Sequence, residues 1–309
     1  MALLMKTDTD RGPWWRAEFA KTLPDLEFRI YPATGKIEEI EYALVWKPPH
    51  GLLKSLPSLR AIFSLGAGVD HVFADPQLPE GVPIVRLVDP QLTRQMTEYA
   101  VLHTLRFHRQ APGYEAQQRE RVWRELPQKQ TAERRIGVMG LGEIGGAVAR
   151  ALVGFGFEVA GWTRSPKAID GVENYAGRTR LAAFLARSDI LICVLPLTSD
   201  TTDILDARAF AAMPRGAFVI NIGRGRQLVE TDLLAAFMSG QIAGAALDVF
   251  RTEPLPADSP LWSHPAVTVT PHVAAMTDPR SAVQQVADNI RRIRAGQKPI
   301  NIVDPRAGY

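Results

Sequence analysis

Short apolar runs alternate along the chain with segments whose apolar positions return every third or fourth residue. In the first hundred residues the runs Ala2–Met5, Glu27–Tyr31, Tyr42–Trp46, Ala61–Leu65 and Ile84–Leu87 read as strands, with helices at Trp14–Leu23 and Leu52–Leu56. Two long helical stretches follow, Leu92–His108 and Gly113–Trp123, and then the polar, linker-like Leu126–Gln130. A second alternating series begins there. Its strands fall at Arg135–Met139, Phe157–Trp162, Ile190–Leu195, Ala217–Ile220, Gly244–Val249 and Thr268–Thr270. Its helices fall at Ile144–Gly154, Leu181–Ala186, Ala207–Ala212, Glu230–Ser239 and Pro279–Ala295. Strand and helix in alternation predict parallel sheets flanked by helices, an α/β class. Two such series in 309 residues predict two Rossmann- or flavodoxin-like domains. The chain is expected to cross back near residue 279, so that residues 1–95 plus 279–309 form one discontinuous domain and 96–278 the other. The crossings would form a hinge, with the active site in the cleft between domains.

Composition narrows the function classes. A 46% hydrophobic and 22% charged chain is that of an ordinary globular protein. The net charge is only +3 and the arginines are scattered, which argues against a nucleic-acid surface. No apolar stretch reaches 18 residues, so no membrane span is expected, and the opening Met1–Asp8 is too short an apolar run for a signal peptide. A cytoplasmic location is the expectation. The single cysteine, Cys193, lies inside an apolar run and reads as a buried strand residue. No metal site is expected.

Gly140-Leu141-Gly142-Glu143-Ile144-Gly145 is a G-x-G-x-x-G directly after a strand and opening a helix, the context that gives this otherwise weak pattern its meaning. Gly140 suits the tight turn, Gly142 a close backbone approach to a pyrophosphate, and Gly145 close helix–strand packing. The helix N-terminus then offers N–H groups to the anion. Residues 96–278 are therefore expected to bind a dinucleotide. An acidic residue about 20 positions on would hold the ribose 2′-hydroxyl of NAD. Here the second strand ends in Trp162-Thr163-Arg164-Ser165-Pro166-Lys167, with no carboxylate. Arg164 can stack on adenine and pair with a 2′-phosphate, assisted by Thr163, Ser165 or Lys167. NADPH is the expected cofactor, with NADH possible.

Three residues then stand in motifs that follow strands: Arg224 in Ile222-Gly223-Arg224-Gly225, Glu253 in Arg251-Thr252-Glu253-Pro254, and His272 in Thr270-Pro271-His272. A cation, a carboxylate and an imidazole beside a nicotinamide are the parts needed to reduce a 2-keto acid. Arg224 can fork between the substrate carboxylate and the ketone oxygen, where charge builds as hydride arrives. His272 can donate the proton, and Glu253 can orient it and favour its charged form. Taken alone, Glu253 before Pro254 reads equally as a surface carboxylate. His50, His71, His103, His108 and His264 lack such a setting and read as structural or surface residues. In the first domain, the glycines of Leu65-Gly66-Ala67-Gly68-Val69-Asp70 let the N–H groups of Ala67, Gly68 and Val69 converge as an anion nest that could hold the substrate carboxylate. An ordinary strand-to-helix turn is the other reading of that loop.

Across nearly the whole chain these motifs resemble the D-isomer-specific 2-hydroxyacid dehydrogenases, and within them the bacterial glyoxylate/hydroxypyruvate reductase A group. The likeness runs from Tyr42–Pro49 through Leu65–Asp70, Gly140–Gly145, Trp162–Ser165, Gly223–Gly225, Leu247–Leu255, Ser259–Trp262 and Pro271–Ala275 to Arg306-Ala307-Gly308-Tyr309. The resemblance implies Arg224 as substrate-orienting arginine, His272 as acid/base and Glu253 as its partner. It implies cofactor contacts from Leu195, Pro196 and Thr201, from Ile222 and Gly223, and from Asp248 and Ala274 near the nicotinamide. Gly68 and Val69 match the carboxylate-binding loop. Trp46 matches a pocket-lining position, although a buried strand-end tryptophan explains it as well. A homodimer built through Leu92–Trp123 is also implied. The chain departs from the wider family in lacking the aspartate after the second strand, which fits an NADPH-using branch. It also has Ala274-Ala275 where many members have glycines, which would narrow the nicotinamide pocket. The expected reaction is reduction of glyoxylate to glycolate and hydroxypyruvate to D-glycerate. A reductase of bulkier 2-keto acids such as phenylpyruvate, and a non-catalytic dinucleotide sensor, are the alternatives.

Overall fold

The computed structural model describes residues 1–7 and 11–304. The tail motif Arg306–Tyr309 lies outside the described residues. The chain forms two compact units, one of Met1–Leu92 with the segment from Thr277 onward, the other Thr93–Met276.

The first unit is a parallel five-stranded sheet. Its strands are β1 (Ala2–Lys6), β2 (Glu27–Ile30), β3 (Ile40–Val45), β4 (Ala61–Ser64) and β5 (Ile84–Val85), in the order β2-β1-β3-β4-β5. Central strands buried on both faces explain the unbroken apolar runs. Leu3, Met5, Tyr42, Leu44 and Phe63 face Trp15 and Phe19 of α1 (Gly12–Thr22) on one side. The alternate residues Ala2, Leu4, Ala43, Val45 and Ile62 pack on the other side against Leu53, Leu56, Val69 and Val72. The last helix, Pro279–Arg294, returns to this unit and buries Val283, Val286, Ala287 and Ile290 in the same core as α1. Asp278 caps it by accepting from Arg280 N. Each buried Val or Ile contributes about 1.5–3 kcal/mol.

The expected helix at Leu52–Leu56 is instead a run of turns. Gly51 at φ +80° and Pro57 bracket it, and proline disfavours helical backbone in the residue before it. Leu53 and Leu56 still bury their side chains, so the apolar spacing was a packing signal without a helix. Conversely, a short helix, α2 (Asp70–Phe73), follows the glycine loop.

Two long helices begin the passage to the second unit: α3 (Pro90–His108) and α4 (Ala111–Glu120). Asp89 accepts from Gln91 N at 2.9 Å and Pro90 opens α3, a favourable start. Arg121, in left-handed backbone, ends α4 three residues before the expected limit, and Trp123 beyond it is 101% exposed.

The second unit is a parallel seven-stranded sheet ordered β12-β11-β10-β9-β6-β7-β8. The strands are β6 (Arg135–Met139), β7 (Glu158–Thr163), β8 (Val172–Ala176), β9 (Ile190–Cys193), β10 (Ala217–Asn221), β11 (Ile242–Leu247) and β12 (Val267–Val269). Helices α5 (Glu143–Gly154), α6 (Leu181–Ala186), α7 (Ala207–Ala212) and α8 (Glu230–Met238) connect them, and α9 is the returning Pro279–Arg294 helix. Strand β8 was not expected, because Val-Glu-Asn-Tyr-Ala on a sheet edge carries little apolar alternation. Strand order reverses between β6 and β9, the switch point outside which ligands bind in open parallel sheets. Among the described residues, no helix is long and apolar enough to cross a membrane.

Candidate active site

Every motif singled out in the second series leaves the sheet at the same edge, the C-terminal ends of the parallel strands. The fingerprint leaves β6. Gly140 has φ +94° and its N–H donates to Trp162 O at 2.9 Å, which ties the loop to β7. A side chain at Gly145 would overlap the Gly140 carbonyl oxygen, so only glycine lets α5 start this close to the strand. Gly142 is different: a Cβ there would meet nothing within 4 Å. Its bare backbone faces open space at the first turn of a twelve-residue helix, as a pyrophosphate cradle requires. Glu143 is exposed and Ile144 half-buried on that turn, while Leu141 turns inward against Gly161.

The turn after β7 carries Arg164 and Ser165, both exposed, with Thr163 buried beneath. Asn174 of β8 organises it. Its Oδ1 accepts from Lys167 N at 2.9 Å, and its Nδ2 donates to Thr163 Oγ1 at 2.9 Å and Gly161 O at 3.2 Å. Lys167 Nζ reaches back to Leu141 O at 2.5 Å, setting a second cation between this turn and the fingerprint. Two cations and no carboxylate in the turn, next to a bare backbone cradle, fit a dinucleotide with an extra phosphate. Trp162 lies in the core, and its indole N–H donates to Gly177 O at 2.9 Å. Its carbonyl is the group bonded to the fingerprint, accepting from Gly140 N.

The Arg224 loop is held from below by two buried amides. Asn221, the last residue of β10, accepts from Gly223 N at 3.2 Å and donates to Arg224 O at 3.1 Å. Gln227 accepts from Arg224 N at 2.8 Å and donates to Leu195 O at 2.8 Å and Pro196 O at 3.1 Å. The loop after β9 and the loop after β10 are thereby one hydrogen-bonded body. Thr201 completes it by donating to Pro196 O at 2.6 Å and accepting from Thr198 N at 2.8 Å. Arg224 is half-buried and extended, with Nη1 donating to Gly223 O at 2.9 Å. Ile222 is buried below it. A Cβ at Gly225 would overlap the Phe250 backbone, so this loop and the one after β11 are in contact. Cys193 is fully buried, its thiol pushed up to about 12 by desolvation.

Asp248, just past β11, is buried and its carboxylate is pushed up by that burial, opposed by the hydrogen bonds it accepts. Oδ1 accepts from Thr270 Oγ1 at 2.6 Å and Val273 N at 2.8 Å; Oδ2 accepts from Ala274 N at 2.8 Å. The Asp248 carbonyl accepts from His272 N at 2.8 Å. This residue, expected beside the nicotinamide, thus organises the His272 turn. His272 itself has φ +55°, left-handed backbone rarely taken by non-glycine residues. Its Nδ1 lies 3.0 Å from Glu253 Oε2, and Glu253 Oε1 accepts from Phe250 N at 3.2 Å. Both side chains are partly exposed. Arg224, Glu253 and His272 therefore leave three adjacent strands, β10, β11 and β12, at one edge.

In the first unit, Trp46 and the loop Gly66–Val69 leave β3 and β4. His71 joins them: Lys47 N donates to its Nδ1 at 3.2 Å, and its Nε2 lies 3.1 Å from Ser64 Oγ, which donates to Gly68 O at 2.8 Å. The ring thus ties the Lys47 backbone to Ser64. The Trp46 ring centroid is 4.4 Å from that of His71. A Cβ at Gly66 would press on Trp46 at 3.1 Å, so this glycine answers close approach. Ala67 and Gly68 are half-buried and Val69 buried. Among the described residues, no group of three or more His, Cys, Asp or Glu could hold a metal.

A family model for the NAD binding domain of D-isomer specific 2-hydroxyacid dehydrogenases matches residues 101–274. The chain belongs to this family. It is 45% identical to the glyoxylate/hydroxypyruvate reductase A of Serratia proteamaculans, over 96% of both chains. It is 40% identical to the Klebsiella pneumoniae protein of the same name, over 100% of both. Among solved structures, a D-isomer specific 2-hydroxyacid dehydrogenase of Xanthobacter autotrophicus in complex with NADPH and MES superposes with a TM-score of 0.95. That pair shares 45% identity over 100% of this chain and 99% of the other. The NADPH-dependent glyoxylate/hydroxypyruvate reductase of Sinorhizobium meliloti, in complex with NADP and sulfate, gives 0.93 at 40% identity with the same coverage.

In this dehydrogenase fold Asn174, Asn221 and Gln227 escaped the sequence reading because amides act by what they support, and His71 was read only as a structural or surface residue. The signal available was a polar residue ending an apolar run, as in Ile220-Asn221. The glycine geometry separates two substitutions. Gly225→Ala is expected to destabilise the protein by about 1–3 kcal/mol, the scale of overpacking. Gly142→Ala should cost no more than the roughly 1 kcal/mol of a changed helix cap. Thermal unfolding of the two variants beside the parent measures both.

Proposed function

We propose that this protein reduces glyoxylate to glycolate and hydroxypyruvate to D-glycerate, using NADPH. The observation that carries the reading is the departure of Arg224 and the Glu253–His272 pair from three adjacent strands of the sheet that also bears Gly140–Gly145. When bound, the reduced nicotinamide supplies a hydride. Gly142 and the α5 N-terminus hold the pyrophosphate, and Arg164, with Ser165 or Lys167 assisting and Thr163 bracing the turn from beneath, holds the 2′-phosphate. Leu195, Pro196, Thr201, Ile222, Gly223 and Ala274 border the cofactor, and Trp162 and Asp248 support it from beneath. Arg224 grips the substrate carboxylate and stabilises charge on the ketone oxygen. His272 delivers the proton from Nε2, the nitrogen that Glu253 does not engage. The N–H groups of Ala67, Gly68 and Val69 bind the substrate carboxylate, and Trp46 limits substrate size. Residues 1–95 with 279–309 thus serve the substrate and 96–278 the cofactor. The names of the relatives and the NADPH or NADP in their structures support the same reading.

The functional form is a homodimer. Leu102, Tyr114, Val122 and Trp123 expose apolar side chains on α3, α4 and the segment after them, a surface suited to a second copy. Trp123→Glu is expected to yield monomers in light scattering at micromolar concentration; an unchanged mass would place the interface elsewhere.

A steady-state panel of small and bulky keto acids with both nicotinamides tests the activity. Hydroxypyruvate and glyoxylate should exceed phenylpyruvate in kcat/KM, with NADPH ahead of NADH, and Arg164→Ala should close the gap between cofactors. A preference for phenylpyruvate or for NADH would redirect the assignment. His272→Ala should lower kcat about 100-fold or more, while NADPH binding by fluorescence titration persists. Near-normal turnover would remove His272 from the chemistry.

A further inference from the structure

We infer that Gln95 and Tyr99, one turn apart on α3, are positioning residues for His272. The inference rests on the proposed role of His272 as proton donor. His272 sits in residues 270–276, which have no regular secondary structure. A left-handed backbone at a non-glycine residue persists only where its surroundings hold it. Asp248 grips the middle of the segment through Val273 N and Ala274 N. The two ends are gripped by α3. At the first end, Tyr99 Oη lies 2.7 Å from Thr270 Oγ1. The single hydroxyl proton of Thr270 goes to Asp248 Oδ1, so Tyr99 must be the donor to Thr270. Burial pushes the Tyr99 phenol up to about 12, which keeps that proton in place throughout the neutral range. At the far end, the Gln95 amide accepts from Met276 N at 3.0 Å and donates to Met276 O at 3.2 Å, as a strand partner would.

Positions i and i+4 share one helix face, and the next position of that stripe is His103, whose ring centroid is 4.4 Å from that of Tyr99. Burial pushes His103 down to about 4, so it packs as a neutral ring. A nineteen-residue helix therefore acts as a rigid back-stop for the loop that carries the acid. Proton delivery depends steeply on donor placement, so loosening either end should slow the chemical step while leaving cofactor binding alone.

Tyr99→Phe, Gln95→Ala and the double variant test this beside His272→Ala. With glyoxylate and NADPH, each single variant should lose about 5- to 10-fold in kcat, the scale of one or two lost hydrogen bonds, and the double variant more. The KM for glyoxylate should stay within about twofold, the NADPH dissociation constant should be unchanged, and the primary isotope effect with NADPH deuterated at the transferred position should rise. Tyr99→Phe removes one oxygen and keeps the ring, so it reports even if the double variant folds poorly. Parental kcat and isotope effect in Tyr99→Phe and Gln95→Ala, with His272→Ala inactive, would overturn the inference alone. So would a kcat loss matched by an equal loss of NADPH affinity. An active His272→Ala would instead overturn the role of His272 on which the inference stands.

Discussion

A buried carboxylate at the end of β11 governs how the rest of the site is arranged. Asp248 takes three donors on its two oxygens and a fourth on its own carbonyl, and all four come from Thr270–Ala274. Burying a carboxylate is costly unless its oxygens are satisfied. Here the donors that satisfy it are the Thr270 hydroxyl and two backbone N–H groups of the turn carrying His272. The same bonds that make the carboxylate tolerable fold the turn, and the turn presents the imidazole to Glu253. Electrostatic need and the geometry of the His272–Glu253 pair thus have one solution.

The neighbouring loop solves the same problem with neutral groups. Asn221 and Gln227 occupy fully buried positions and spend their amides on Gly223, Arg224, Leu195 and Pro196. The two amides knit the strand ends of β9 and β10 together without placing a charge under a guanidinium. Glycines then let the loops close on one another: Gly225 against Phe250, Gly145 against Gly140. In both places the demand is for space, since neither residue needs positive φ. A parallel sheet with tightly apposed loops at one edge is a rigid platform, which suits a reaction that depends on fixed distances.

Much of this was legible in the chain. Apolar runs located β1, β6, β9 and β10 to within a residue or two, because strands buried on both faces leave an unbroken signal. One edge strand escaped: β8 exposes much of its length and hides among polar residues. Leu52–Leu56 misled because apolar spacing reports burial, whereas proline and glycine decide backbone form. Arg224, Glu253 and His272 stood out through their motifs. What supports them did not, since Asn174, Gln227, Tyr99 and Gln95 are ordinary residues until the fold brings distant carbonyls and hydroxyls to them. Histidines were ranked by local context alone, and His71 gained its place only when Lys47 and Ser64 arrived on either side of its ring.

The sole thiol of the chain offers a practical advantage. Cys193 lies at the centre of the seven-stranded sheet, sealed from water and far from thiolate character at neutral pH. Maleimides need an accessible thiolate, so the native protein should be silent toward them. A cysteine introduced on the surface would then be the molecule's one reactive handle, open to a fluorophore or spin label without first erasing a native background.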